Sequence, residues 1–287
     1  MFESIEELIA EANNQDLSLA QFIIQDEIKN TEMNEEKIIE RLTTIIKVMR
    51  TSLEKSISEI TELPIKEAIQ QSQRLLSTPF FLSKDLKEAI YWAMSIAEYS
   101  SGMGVIVACP TAGSSGVFPS TLLKAQQMLD ATEEELLEAF TVGAEVGAII
   151  GNKATLSGSE GGCQAEVGVA SGMAAAAITY MAKGTGEQIK HSIALALTNL
   201  LGLVCDPVAG LVISPCIKRN TIGVMNAFLA AEMALSGVTS IIPVDEVIDA
   251  LRRVGRQLPY ELKETGLGGI ASSPTAKRIK KELYGNN

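Results

Sequence analysis

From Glu88 to Gln257 the chain carries few charges, and Gly, Ala and Ser dominate its composition. That stretch restricts the fold more than any other feature. The sequence is 46% hydrophobic but only 5% aromatic, so the core must be built from aliphatic and small side chains, with helices packed closely through Ala and Gly. Apolar residues recur at helical spacing, which predicts helices over 85–100, 120–130, 132–151, 164–183, 186–201, 218–236 and 244–256. Strand-like alternation is nearly absent; Val105–Ile106–Val107 and Ser240–Ile241–Ile242 alone suggest short extended pieces. The pattern predicts an all-α fold with Gly-rich loops at 109–119, 152–163, 202–217 and 265–275.

Residues 1–80 read as a more charged N-terminal helical segment, continuous in one domain with the helical part over 81–287 that carries the cysteines. Ser4 with Glu7, and Ser18 with Gln21, have capping-box spacing. A helix from Ser18 runs to about Lys29, and Asn34 starts a long helix with Ile38, Ile39, Leu42, Ile45, Ile46 and Met49 on its apolar side. Thr132 with Glu135 repeats the capping-box pattern. The segment from Ser77 to Lys84, with Pro79 and Ser83, reads as looser. The tail from Ala276 is basic, then polar, and is expected to fray.

A formal net charge of −11 argues against nucleic acid or an anionic membrane as partner, since both need basic patches. No apolar run reaches the roughly 20 residues of a membrane span. The opening MFESIEELIAEANNQ reads as an acidic amphipathic helix and not as a secretory signal. A soluble cytoplasmic protein is the expectation, and stable disulfides are not.

Cys163, Cys205 and Cys216 are each bracketed by Gly or Pro, in SGSEGGCQAEVG and GLVCDPVAGLVISPCIKRN. Gly and Pro disfavour helix interiors, so these cysteines are placed on loops at element ends. A free cysteine is often no more than a small buried hydrophobe. Structural zinc would prefer close pairs such as C-x-x-C, which are missing. An Fe–S cluster or a nucleophilic thiol remains.

Three loops surround them. Cys109–Pro110–Thr111–Ala112–Gly113–Ser114–Ser115–Gly116 precedes a helix expected near Pro119. It reads either as a plain tight turn or as a nest of amides for a carboxylate or phosphate. The loop from Asn152 to Cys163 offers Lys153, Ser157, Ser159 and Glu160 as acids, bases or caps. After Cys216, Lys218 and Arg219 sit at the head of a helix, where cations oppose the dipole. They imply either a bound anion or a surface ion pair. His191 lies inside a predicted helix and reads as structural.

Together GSEGGCQAEVGVASGMAAAA, LGLVCDPVAGLV and PCIKRN resemble the α subunit of bacterial iron–sulfur-dependent L-serine dehydratase. ELIAEA, PTAGSSGV and the closing ETGLGG…SPT extend the resemblance over nearly the whole chain. The cysteine spacing, 42 residues and then 11, is part of it. The resemblance implies a 4Fe–4S cluster on Cys163, Cys205 and Cys216 with one iron lacking a protein thiolate. It also implies conversion of L-serine to pyruvate and ammonia by Lewis-acid dehydration. It further implies a β subunit as partner, and an oligomer is expected. Thr111, Gly113, Ser114, Ser115, Gly116 and Arg219 would hold the serine carboxylate, and Lys153, Ser157 and Glu166 are candidates for the base. Single-chain members of the family end in a cysteine that reaches the open iron and carry a regulatory domain. This sequence ends Tyr284–Gly285–Asn286–Asn287, so neither is expected here, and Cys109 stays a bystander. The rival readings are a related Fe–S L-cysteine desulfidase and a non-catalytic Fe–S scaffold or sensor.

Overall fold

The computed structural model describes residues 2–77 and 81–285; Pro79 and the last two residues of the tail fall outside that range. Among the described residues there is no β-strand, and one isolated parallel bridge joins Cys205 to Lys263. The helices, in order, are α1 Ile5–Asn14, α2 Leu19–Asn30, α3 Glu35–Ser58, α4 Lys84–Ser101, α5 Val117–Leu129, α6 Glu133–Lys153, α7 Gly158–Gly161, α8 Val169–Met181, α9 Gly186–Asn199, α10 Cys216–Leu235, α11 Val244–Gln257 and α12 Pro274–Tyr284. The fold is all-α.

Local chemistry explains most of the helix starts. Ser18, Thr132 and Thr185 each close a full capping box with the residue three positions on. Ser4 caps α1 through the Glu7 amide, but the Glu7 carboxylate returns to the Glu3 amide instead. Asn34, Ser83 and Ser273 cap α3, α4 and α12.

α8 is the axle of the molecule. Almost every residue of it is buried, and it packs against α5, α6, α9 and α10. A helix apolar all round belongs in an interior. Small residues let its neighbours approach: a Cβ on Gly143 of α6 would lie 2.4 Å from the Phe118 ring and 3.0 Å from the Met173 carbonyl. Ile5, Leu8, Met49 and Leu53 of the N-terminal helices enter the same core as Phe118, Phe140 and Ala174–Ala177. On α3, Ile38, Ile46 and Met49 are buried, while Ile39, Leu42 and Ile45 are half-buried.

Several expectations need correction. Val105–Val107 and Ser240–Ile242 form no ladder; both are irregular connections. The tail does not fray through most of its length, because Ser273 and Pro274 nucleate α12 and Ala276 packs with Leu63, Ile213 and Ile217. The helix expected from about Pro119 starts two residues earlier, and the one expected from Lys218 starts at Cys216. The helix expected from Gln164 opens with a π-turn, Gln164–Gly168, before α8.

Candidate functional site

Cys163, Cys205 and Cys216 come from three elements and lie within electrostatic reach of one another. Gly162, at φ +76°, turns the chain out of α7, and Cys163 caps the π-turn. Cys205 lies on an extended segment after α9, where its amide donates to the Leu262 carbonyl and its carbonyl accepts from the Glu264 amide. Cys216 is the first residue of α10. All three thiols are buried, at 3%, 3% and 8% exposure.

Their electrostatics place them together. Burial, then the Glu166 charge, pushes the Cys163 thiol up to about 11, with Arg219 acting in the opposite sense. Burial, then the charge on Cys163, pushes Cys216 up to about 12. Cys205 is driven up by burial, Glu166, Cys163 and Cys216 together. Cys109 differs. Burial alone raises it to about 12, and it belongs to the main core cluster, while Cys163 and Cys205 belong to another.

Among the described residues, no three His, Cys, Asp or Glu side chains converge on a point that could hold one metal ion. A cubane does not ask for that, because each thiolate binds its own iron. What it asks for is soft donors sharing one shielded pocket, with protons that iron can displace. Three buried, mutually coupled thiols fit that requirement.

Glu166 sits in the π-turn and faces the same pocket. Its Oε1 accepts from the Thr111 hydroxyl at 2.7 Å, and the Cys205 sulfur lies 3.7 Å from its Oε2. Burial holds its carboxyl above the usual carboxylate range. A Cβ on Gly158 would lie 2.6 Å from Oε2 and 3.2 Å from the Cys205 sulfur, so glycine makes the room that this carboxylate occupies. π-turns within helices often mark functional sites, and this one sets an acid against the Cys205 sulfur.

The loop at Thr111–Gly116 is more committed than a free anion nest. The Ser115 amide donates to the Ala112 carbonyl, and the Gly116 amide donates to Asn220 Oδ1 at 3.0 Å. Asn220 Nδ2 in turn donates to the Gly113 and Cys216 carbonyls, each at 2.9 Å. Ser114 Oγ contacts Thr111 Oγ1 at 3.2 Å and the Cys109 carbonyl at 3.4 Å. Thr111 hydrogen-bonds this acid and Gly113 lies against it, a Cβ there falling 3.1 Å from Glu166 Oε1, while the Ser115 and Gly116 amides are taken by Ala112 and Asn220.

Arg219 also has partners already. Nη2 lies 2.8 Å from Asp206 Oδ1, and Nη1 donates to the Val204 carbonyl at 2.7 Å. The anion implied by cations at the head of α10 is therefore supplied by the chain itself. Asp206 Oδ2 accepts from the Ile270 amide at 2.7 Å, which ties in the C-terminal loop. Arg219 still lies beside Cys163 and Cys216, whose thiols its charge favours in the ionised form.

Lys153 and Ser157 have hydrogen-bond partners other than Glu166. Lys153, the last residue of α6, pairs with Asp245 of α11 at 3.1 Å, and Asp245 also accepts from the Ile5 and Glu6 amides, so Asp245 ties both α6 and α1 to α11. Ser157 Oγ lies 2.7 Å from Ser159 Oγ. Glu160 accepts from Thr155 and caps its own loop. His191 Nδ1 accepts from the Ser240 amide.

Sequence reasoning passed over Gln164, Asn220 and Asp206. Gln164 is fully buried; its Nε2 donates to the Leu251 carbonyl and its Oε1 accepts from the Gly202 amide. The available signal was adjacency: each lies one to four residues from a pocket cysteine.

The family model described as the serine dehydratase alpha chain matches residues 14–271. A probable L-serine dehydratase alpha chain from Bacillus subtilis is 43% identical over 99% of this chain and 96% of its own length. The L-serine dehydratase alpha chain of Peptoniphilus asaccharolyticus is 40% identical over 99% of this chain and 98% of its own. The L-serine dehydratase of Streptomyces coelicolor is 31% identical over 94% of this chain, which covers 60% of that longer protein.

Proposed function

The chain belongs to the serine dehydratase alpha chain family, and from that premise we propose that it is the catalytic chain of an L-serine dehydratase, converting L-serine to pyruvate and ammonia. The observation that carries this reading is the shared pocket of three buried, mutually coupled thiols with the Glu166 carboxyl against them. In this reading Cys163, Cys205 and Cys216 hold a 4Fe–4S cluster. When bound, the cluster supplies a Lewis acid that makes the serine hydroxyl a better leaving group.

The chain's own residues do the rest. Glu166 takes the Cα proton; a carboxyl raised by burial is closer to the basicity that proton abstraction needs at neutral pH. Thr111 orients that carboxyl by donating to its Oε1, while Cys205 lies at its Oε2. Loss of the proton from Cα and hydroxide from Cβ leaves aminoacrylate and water. Tautomerisation and hydrolysis then give pyruvate and ammonia. Arg219 keeps its positive charge beside the thiolates through Asp206 and the Val204 carbonyl. A β chain as partner and action in the cytoplasm belong to the same proposal. The alpha-chain names of the relatives support the partner, and no described helix is long and apolar enough to cross a membrane.

The test is anaerobic reconstitution with iron and sulfide, followed by spectroscopy and turnover. The expected result is cluster absorbance with pyruvate formed from L-serine, measured with and without a β chain. A fully loaded protein that makes no pyruvate from serine in the presence of the β chain would overturn the proposal. So would one that instead releases sulfide from L-cysteine in preference.

A further inference from the structure

The connection between α11 and α12 runs alongside the Cys205 segment. The Cys205 amide donates to the Leu262 carbonyl at 2.9 Å, and the Glu264 amide donates to the Cys205 carbonyl at 2.8 Å. Three residues of this connection have left-handed backbones: Glu264 at φ +64°, Gly266 at +64° and Gly269 at +57°. Glycine adopts that conformation freely, whereas a residue with a side chain is strained in it. At Gly269 glycine is also needed for space, because a Cβ there would collide with the Asp206 carboxylate. Glu264 is the exception. Its backbone bond to Cys205 would form as well from a glycine, yet a long acidic side chain is kept there. Residues held in such conformations cluster at functional sites.

The Glu264 carboxylate has no hydrogen bond or ion pair among the described residues, and the residue is exposed. Cations close by in the fold are engaged elsewhere. Arg219 holds Asp206 and the Val204 carbonyl, and Lys263 Nζ lies 3.5 Å from the Arg256 carbonyl. Burial is the main cause that raises the Glu166 carboxyl and the Cys205 thiol, and the Glu264 charge adds to it in both. An unpaired carboxylate thus stands within electrostatic reach of the pocket, where it adds negative charge beside an acid and a thiol. Such a position favours a cation. In the dehydratase reading one reactant supplies it, since L-serine carries an ammonium group on the carbon whose proton Glu166 takes.

We propose that Glu264 receives the ammonium group of L-serine and so holds Cα beside Glu166. The inference rests on the dehydratase reading and assigns within it the contact that tells an amino acid from a hydroxy acid. Serine is a zwitterion with no net charge, so a general loss of negative field at the pocket would not weaken its binding; loss of a direct ammonium contact would.

Glu264→Gln, Glu264→Asp and Glu264→Gly are compared with the parent as cluster-loaded chains with the β chain present. Glu264→Gln is expected to raise KM for L-serine roughly tenfold or more, as loss of a charge-assisted hydrogen bond does. Its kcat stays within about threefold, because the contact is kept from bound substrate to transition state. Glu264→Asp keeps the charge in a residue that tolerates the left-handed backbone, and loses less. Inhibition by 3-hydroxypropanoate, which has the carboxylate and hydroxyl of serine but no ammonium, is unchanged or stronger in Glu264→Gln. Independently of activity, the melting temperature of the unloaded Glu264→Gly chain is unchanged or raised by up to about 4 °C as the strain is relieved. An unchanged KM in an active Glu264→Gln enzyme overturns the inference, as does a fall in kcat at constant KM, or an equal weakening of 3-hydroxypropanoate. A Glu264→Gly melting temperature several degrees below the parent's makes the side chain a structural group and also overturns it. A loaded parent that does not turn over serine counts instead against the dehydratase reading beneath it.

Discussion

The Cys205 sulfur lies 3.7 Å from one carboxylate oxygen of Glu166, and the Thr111 hydroxyl donates to the other at 2.7 Å. The acid is therefore held between the Cys205 sulfur and a loop hydroxyl, with its basicity raised by burial.

Glu166→Gln is expected to lower kcat by about 10²–10⁴, the usual range for a lost general base, while cluster absorbance persists. A base works when deprotonated, so the parent rate rises with pH through the carboxyl's titration, above the ordinary carboxylate value of 4.5. In Glu166→Gln that acidic limb disappears. A pH–rate profile with the limb unchanged would assign the proton transfer elsewhere.

Cys163→Ser, Cys205→Ser and Cys216→Ser should each abolish cluster absorbance and serine dehydration together, because a hydroxyl is a poor substitute for thiolate on iron. Cys109→Ser should keep the cluster, since Cys109 lies in a different part of the core. Iron and sulfide content after reconstitution reads the difference.

Asp206→Asn and Arg219→Lys test a tie rather than a substrate contact. The pair is buried, with side chains 3% and 13% exposed, and breaking one partner of such a pair costs about 3–5 kcal/mol. Urea midpoints should fall for both variants, and the cluster should be retained less well. A normal midpoint with a raised KM for serine in Arg219→Lys would return this residue to substrate binding.

Gly158→Ala should lower kcat without removing the cluster. The added methyl would meet Glu166 Oε2 at 2.6 Å, so the carboxylate must swing away. Unchanged kcat would show that its position is not critical.

Glu145 gives a prediction about stability. Burial, then the Asp26 and Glu27 charges, raises its carboxyl above 4.5. The folded state therefore binds this proton more tightly than the unfolded state does. Stability falls as pH rises from the unfolded value through the folded one, and the loss is complete above it. Glu145→Gln should raise Tm at pH 7 by about 2–4 °C, the effect of roughly 1 kcal/mol in a chain of this size. The gain should vanish below pH 4.

The helices were legible because their cores are periodic and their caps local: Ser18, Thr132 and Asn34 each act within three residues of themselves. The cysteines were legible as element ends because Gly162, Pro207 and Pro215 punctuate the chain beside them. Partners distant in sequence were not. Nothing near Arg219 says that Asp206 will answer it, or that Lys153 will cross to Asp245. Asn220 and Gln164 read as ordinary polar residues until the carbonyls and amides they bridge are brought together. The π-turn was equally hidden, because one extra residue in a helical turn leaves the apolar pattern nearly unchanged.

The three thiols differ in what stands behind them. Cys163 runs through the π-turn into α8, and Cys216 opens α10; both helices are clamped by the whole interior. Cys205 hangs on a seam between two irregular segments, stitched by its own two backbone bonds and by Asp206 to Ile270. Two of the thiols thus rest on the helical frame and the third on a connection between helices. Arg219 of α10 reaches both neighbours of Cys205, the Val204 carbonyl and the Asp206 carboxylate, so a single side chain couples the loop thiol to the helix that carries Cys216.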